Sequence, residues 1–152
     1  MNRLHPRIQF VWALRSVLLA ALVAVPAGAG YRFLDLPLPA VVAVPAAVLV
    51  LGIAFSIARY RRWGYEIRED DIYLERGVLT QVRTVVPLVR IQHVDSRRGP
   101  IERATGLASC VVYTAGSRGA DVRIPGLTPA DADGLRERLK RLAIRAEGED
   151  AV

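Results

Sequence analysis

The sequence contains few of the residues that enzymes use most often for chemistry. A single cysteine, Cys110, excludes an internal disulfide and fits a reducing compartment. Its apolar neighbours predict a packed core position rather than a nucleophile. The two histidines, His5 and His93, lie far apart in the chain, and neither has a partner at metal-ligand spacing. These shortages predict no metal, no cofactor and no catalytic residues, and therefore a protein that is not an enzyme.

Acidic residues are almost absent from the first 62 residues. This part contains seven arginines and only one acidic residue, Asp35, which gives it a net charge of +6. Residues 63–152 contain equal numbers of basic and acidic side chains. The positive charge of the chain therefore belongs to its N-terminal part and does not indicate nucleic-acid binding.

Polar residues are also scarce in two long apolar runs, at about residues 11–34 and 36–58. Each run is long enough to cross a hydrocarbon core, which takes about 20 helical residues. They are separated only by a few residues around Asp35, so we predict a transmembrane helical hairpin. Only Ser16 and Ser56 interrupt the apolar stretches 16–30 and 36–58, which argues against a transporter, a channel or a membrane enzyme.

The arginines flank these runs unevenly. Three precede the first run, three follow the second and one lies in the connection: Arg3, Arg7, Arg15; Arg59, Arg61, Arg62; and Arg32. The positive-inside rule then predicts a multi-pass protein of the plasma membrane with both termini in the cytoplasm. The alternative is a signal peptide over residues 1–29 with Ala27-Gly28-Ala29 as its cleavage site.

From Trp63 onwards the apolar period changes to two, which is typical of half-buried strands. Strands are predicted near 63–67, 72–76, 82–87, 89–97, 108–114 and 122–124. In the fourth strand Ile91 and Val94 have opposite parity, so both can face a core only through a bulge or a bend. The fifth strand is apolar on both faces and should be central, and Pro125-Gly126 should end the sixth.

Two helical segments accompany these strands. One turn is predicted at 101–105, after Gly99-Pro100, with Gly106 as its left-handed stop. The last helix should begin at Thr128, with Pro129 in its first position and Asp131 completing a capping box. We expect it to end near residue 145, before a disordered acidic tail at 146–152. The predicted domains are therefore 1–62, 63–145 and this tail.

Several short motifs occur in an order that resembles the bacterial PH-domain (YdbS-like) family of membrane proteins. They are Leu4-His5-Pro6, Glu75-Arg76-Gly77-Val78-Leu79, Val86-Pro87, Arg90-Ile91-Gln92-His93-Val94-Asp95, Gly99-Pro100-Ile101-Glu102-Arg103, Gly106-Leu107, Thr114-Ala115-Gly116-Ser117 and Ile124-Pro125-Gly126-Leu127. Periodicity alone leaves other small barrels and sandwiches open. The resemblance covers nearly the whole chain.

The resemblance implies a two-span membrane protein with a cytoplasmic PH-like antiparallel barrel of six to seven strands, capped by a C-terminal amphipathic helix. It implies no catalytic residues. The motif residues are interpreted as structural, and they are Arg90, Gln92, Asp95, Gly99, Pro100, Gly106, Thr114 and Gly116.

Basic side chains are concentrated in the second half of the predicted barrel. Those that could contact a lipid or a protein partner are Arg97, Arg98, Arg103, Arg118 and Arg123. Our first hypothesis is a non-enzymatic interaction or scaffolding module that binds a protein partner or a second copy of itself. The alternative is a domain that senses anionic lipids through these arginines. The expected partners are the bilayer and a protein, with no nucleic acid.

Overall fold

A computed structural model describes residues 1–116 and 121–150. The chain divides into two compact units, the apolar hairpin Gln9–Arg61 and a second unit in which Met1–Ile8 joins Arg62–Val152. We call the second unit the β-domain. The first eight residues belong with the strands, although the sequence analysis grouped them with the membrane part.

The apolar hairpin consists of helices α1 (Ile8–Leu34) and α2 (Leu38–Arg61), joined by three residues that include Asp35 with a φ of 52°. Both helices are long and apolar enough to cross a membrane. They approach closely at Gly52, where an added Cβ would lie 2.6 Å from the Ser16 side chain. The Ser56 hydroxyl donates to the Gly52 carbonyl oxygen at 2.9 Å, so this polar side chain is satisfied within its own helix.

The β-domain contains two three-stranded antiparallel sheets. The first has the order β1 (Gly64–Ile67), β2 (Asp71–Arg76), β3 (Val82–Pro87). The second has the order β4 (Ile91–Arg97), β5 (Ala108–Thr114), β6 (Val122–Leu127), which confirms the predicted central position of β5. The core lies between the two sheets and a C-terminal helix, and its fully buried side chains include Leu74, Leu107, Ile124 and Leu139.

The predicted irregularity in β4 is confirmed. The pairing with β5 shifts register between Ile91 and His93, so that one strand carries an additional residue at this point. After β4, helix α3 spans Pro100–Thr105, and Gly106 ends it in the left-handed conformation with a φ of 68°. Both features match the expectations from parity and turn chemistry.

The predicted end of the sixth strand is wrong. Strand β6 continues through Pro125 and Gly126 to Leu127, which pairs with Ala108. Proline is tolerated because β6 lies at the edge of its sheet, where the missing N–H breaks no ladder. Gly126 has a φ of 65° and faces Ile8, whose Cβ would lie 2.9 Å from an added Cβ.

The expected closed barrel is also corrected, because the described residues form two separate sheets with six strands. A 3-10 turn at Leu88–Arg90 separates β3 from β4. On the opposite side the N-terminal segment lies between the edges of β1 and β6. Asn2 exchanges two backbone hydrogen bonds with Tyr65 of β1, at 2.7 and 3.1 Å. The His5 N–H donates to the Gly126 carbonyl oxygen of β6 at 2.7 Å.

The C-terminal helix α4 spans Pro129–Asp150. The predicted cap is confirmed, because the Asp131 N–H donates to the Thr128 hydroxyl oxygen at 3.1 Å. Ala132, Leu135 and Leu139 are buried against the sheets. The helix continues through residues that we expected to be disordered, and residues 151 and 152 lie outside the described part.

Candidate binding site

A groove of about 500 Å³ lies between strand β4 and helix α4. Four consecutive residues of β4 line it: Ile91, Gln92, His93 and Val94. Consecutive strand residues alternate between the two faces of a sheet, so a groove lined by all four follows the edge of the strand. The sheet order places β4 at the end of its sheet, with β5 on one side and no strand among the described residues on the other.

Helix α4 provides the other wall of this groove, which we call the β4–α4 groove. Its apolar part consists of Ala143 and Ile144, and Ile144 is 60% exposed. Charged side chains of both signs surround this part: Arg136, Lys140, Glu137 and Glu147. The groove therefore offers backbone hydrogen-bonding groups on one wall, and apolar surface with a charged rim on the other.

The outer face of β4 carries a compact polar cluster. The His93 Nε2 lies 2.8 Å from Asp95 Oδ1, and an Arg97 nitrogen lies 3.7 Å from the other Asp95 oxygen. The Tyr113 ring packs against His93, with centroids 5.4 Å apart, and its hydroxyl accepts a hydrogen bond from Arg97. The cluster is solvent-accessible, and it places a histidine, an aspartate and an arginine at alternate positions along the edge of β4 that no strand of the described residues pairs with.

The sequence-predicted arginines do not form one shared patch. Arg123 donates to Glu102 Oε1 at 2.9 Å and to the buried Ser109 hydroxyl at 3.1 Å. The Arg98 side chain donates to the Leu107 carbonyl oxygen at 3.3 Å. Arg103 is exposed on α3. Arg118 lies outside the described residues. Arg98 and Arg123, together with Arg97, are thus used in contacts within the β-domain.

The motif residues lie mainly at turns and strand ends. The Gly99 N–H donates to Glu102 Oε2 at 2.7 Å, and Pro100 occupies the first position of α3. The Arg90 carbonyl oxygen accepts a hydrogen bond from the Ala115 N–H at 2.9 Å. Thr114 ends β5, and Gly116 follows it in a bend. Gln92 and Asp95 differ from the others, since Gln92 lines the groove and Asp95 belongs to the outer cluster.

Reactive groups are poorly placed for chemistry. Burial raises the pKa of Cys110 to about 12, although the nearby Arg136 acts in the opposite direction. This thiol therefore stays protonated at neutral pH and is inert as a nucleophile. Within residues 1–116 and 121–150, no group of three or more His, Cys, Asp or Glu side chains could hold a metal ion.

A second groove, of about 520 Å³, lies beside the N-terminal segment. Arg3 and His5 line it on one side, and Asp131 and Arg138 of α4 line it on the other. Tyr65 contributes its ring, and burial followed by the Asp131 carboxylate raises the pKa of this phenol. The segment Met1–Ile8 already covers the strand edges here, so this groove offers no free edge.

Sequence reasoning missed the groove residues of α4. The spacing of Leu135, Leu139 and Leu142 predicts the apolar stripe of that helix, and Ile144 lies outside this stripe. The sequence feature that could have indicated a binding surface on this helix is an isoleucine that lies next to the apolar stripe but outside it. Its location opposite β4 depends on tertiary packing between segments about fifty residues apart, which no local pattern reveals.

Comparison with known proteins gives the family. The Bacterial PH domain family matches residues 11–143 of the chain. The chain belongs to this family. It is 30% identical to the UPF0699 transmembrane protein YdbS of Bacillus subtilis (strain 168), over 93% of this chain and 92% of that protein. It is 26% identical to the UPF0699 transmembrane protein YdbT of the same organism, over 64% of this chain and 20% of that protein. No solved structure matches it.

Family membership fits the architecture of both the apolar hairpin and the β-domain. The two apolar helices agree with relatives that are named transmembrane proteins, so we treat the chain as a membrane protein. The β-domain is PH-like, with two antiparallel sheets followed by a helix. A PH fold alone does not define a ligand, so the groove and its surroundings determine what the β-domain can bind.

Proposed function

We propose that this protein is a membrane-anchored, non-enzymatic interaction module whose β-domain binds an extended protein segment in the β4–α4 groove at the cytoplasmic face of the plasma membrane. The observation that carries this proposal is the outer edge of β4 beside that groove, which pairs with no strand in residues 1–116 and 121–150. An added strand would satisfy the free N–H and C=O groups of β4, and its alternate side chains would enter the groove.

The other strand edges are less suited to such binding. The N-terminal segment occupies the edge of β1 through Asn2 and contacts the edge of β6 through His5. Strand β6 also contains Pro125, and β3 ends in Pro87. Proline lacks the N–H that strand pairing requires. Strand β4 contains no proline over its seven residues.

Photocrosslinking in native membranes tests the proposal. A benzoylphenylalanine in place of Lys140, which lines the groove, is expected to form a covalent adduct with a protein segment. The matched control replaces Arg141, the next exposed residue of α4, which does not line the groove. Equal protein adducts at both positions, or none at either, would contradict docking in the groove.

One observation favours a second candidate, contact with anionic lipid through α3. Ile101 is 51% exposed and Arg103 is exposed on the same short helix. An exposed apolar side chain beside a cation is typical of surfaces that meet lipid head groups. A photocrosslinker in place of Ile101 would then yield lipid adducts in vesicles containing anionic lipid. Their absence, in the same vesicles, would leave protein docking as the better account.

The orientation gives a separate prediction. Leu79, in the loop between β2 and β3, is 92% exposed, and a Leu79→Cys variant is expected to react with a membrane-impermeant maleimide only in inside-out vesicles. The wild-type chain is the control, because Cys110 is buried and its pKa is raised to about 12. Labelling of Leu79→Cys in intact cells would show that the β-domain faces outwards.

A further inference from the structure

The order of polar side chains along β4 is complementary to itself. The strand spans Ile91–Arg97, so its midpoint is Val94. An antiparallel copy paired about this midpoint places Val94 opposite Val94 of the second copy. It also places His93 opposite Asp95 of the second copy, and Asp95 opposite its His93. A ring N–H of histidine can donate a hydrogen bond to the carboxylate that faces it, and such cross-strand pairs stabilise an antiparallel pair.

We propose that two copies of this protein associate through their β4 strands, paired antiparallel about Val94, so that their second sheets form one continuous six-stranded sheet. This inference rests on the proposed function, since it names the occupant of the β4–α4 groove as the β4 strand of a second copy. Two copies anchored in one membrane share a high effective concentration, so a short pairing is sufficient.

The other symmetric registers fit less well. Pairing about Asp95 places aspartate opposite aspartate, and like charges that face each other directly are destabilising. Pairing about His93 places Asp95 opposite Ile91, so the carboxylate faces an apolar side chain. Pairing about Ser96 matches Asp95 with Arg97 but extends past the end of the strand at Arg97, which leaves few paired residues. The register about Val94 places His93 opposite Asp95 and keeps both pairs in the regular part of β4, since the bulge lies between Ile91 and His93.

The groove can accept the second strand. Val94 is half-buried and lines the groove together with Ile91, next to Ala143 and Ile144 of α4. In the proposed pairing Val94 of the second copy lies beside Val94 of the first, on the face that continues into the groove. On the other face, the exposed His93 side chain and the half-buried Asp95 side chain meet their counterparts.

Cysteine crosslinking of the full chain in native membranes tests this register. Directly opposite residues of antiparallel strands lie within the Cα–Cα range of a disulfide, whereas diagonal ones do not. A Val94→Cys variant is expected to shift from the monomer band to the dimer band under mild oxidation. Ser96→Cys on the same strand and Leu79→Cys on a distant loop are expected to stay monomeric. A monomeric Val94→Cys variant, or a dimer of Ser96→Cys, would overturn the pairing about Val94.

Charge exchange provides a second measurement that also checks folding. Within the Val94→Cys background, His93→Asp or Asp95→Lys alone should lower the dimer yield about tenfold, because either substitution removes both cross-strand His93–Asp95 pairs. When both variants are expressed together with different tags, the mixed dimer is expected to form again. Recovery of the mixed dimer would show that both variants are folded. Unchanged yields in either single variant would contradict the charge pairing.

The outcomes separate this inference from the proposed function. If the photocrosslinker at position 140 captures a different protein and Val94→Cys stays monomeric, self-pairing is wrong while docking in the groove stands. If it captures a second copy and Val94→Cys forms the dimer, both are supported. If neither position gives a protein adduct, both fail.

Discussion

A Leu4→Ala substitution is expected to lower the free energy of unfolding of the β-domain by about 3 kcal/mol, because a large side chain is removed from a packed position. Leu4 is only 2% exposed, and Ile8, four residues later, is 3% exposed. The N-terminal segment that carries them fills the space between β1 and β6 through the hydrogen bonds of Asn2 and His5. Loss of Leu4 should weaken this whole connection.

Trp63 is the natural reporter for this measurement because it is buried in the β-domain. The second tryptophan, Trp12, lies in α1, so denaturant unfolding in detergent micelles is best followed in a Trp12→Phe background. Leu79→Ala is the matched control, since Leu79 is 92% exposed and its truncation should change stability by less than about 0.5 kcal/mol. Equal effects of the two leucine substitutions would mean that the N-terminal segment does not stabilise the β-domain.

A Glu102→Ala substitution should lower the free energy of unfolding of the β-domain by about 2 kcal/mol, because it removes a buried carboxylate that has two different partners. Glu102 is 8% exposed, and it accepts hydrogen bonds from the Gly99 N–H and from Arg123. It thereby fixes the start of α3 and connects it to β6. Arg123 is 59% exposed, so most of the loss should come from the helix start rather than from the ion pair.

Two further variants separate these contributions. Glu102→Gln retains an oxygen that can accept the Gly99 N–H. Its loss of unfolding free energy is therefore expected to be less than half of the loss caused by Glu102→Ala. Arg123→Gln removes only the ion pair and should cost less than about 1 kcal/mol. Thermal unfolding followed by Trp63 fluorescence gives the ranking. An Arg123→Gln loss as large as that of Glu102→Ala would show that the ion pair dominates.

Local sequence patterns were sufficient to predict most of the strands and helices of the β-domain. The parity break between Ile91 and Val94 predicted the bulge in β4, since side-chain alternation leaves no other way to bury both. Gly99-Pro100 and Gly106 predicted both ends of α3, and Thr128 predicted the start of α4. Each of these features is determined by residues within a few positions of one another, so the sequence carries its signal directly.

Features that depend on distant contacts were not predictable in this way. The N-terminal segment joins the β-domain through Leu4 and Ile8, whereas the sequence predicted only a short segment ahead of the first span, grouped with it in residues 1–62. Strand β6 passes through Pro125 because its edge position leaves that N–H unneeded, and edge positions follow from topology. The separation of the sheets likewise depends on which strands pair, and apolar periodicity does not encode pairing.

The candidate site likewise depends on contacts between residues that are distant in the sequence. Sequence composition singled out arginines, but Arg123 is paired with Glu102, a partner that lies 21 positions away. The β4–α4 groove was found only when the structure brought Gln92 and Val94 opposite Lys140 and Ile144. Charge counts therefore identified residues that stabilise the fold, while the surface available to a partner emerged from packing.

Occupation of the β4–α4 groove by a protein segment can be measured through maleimide labelling of an Ile144→Cys variant. Position 144 is 60% exposed in the free chain, and Cys110 does not compete because it is buried. We predict that Ile144→Cys reacts about tenfold more slowly in native membranes than after purification in detergent, whereas Leu79→Cys reacts equally in both, because a bound strand shields only the groove. Equal labelling rates of Ile144→Cys in the two preparations would contradict the account.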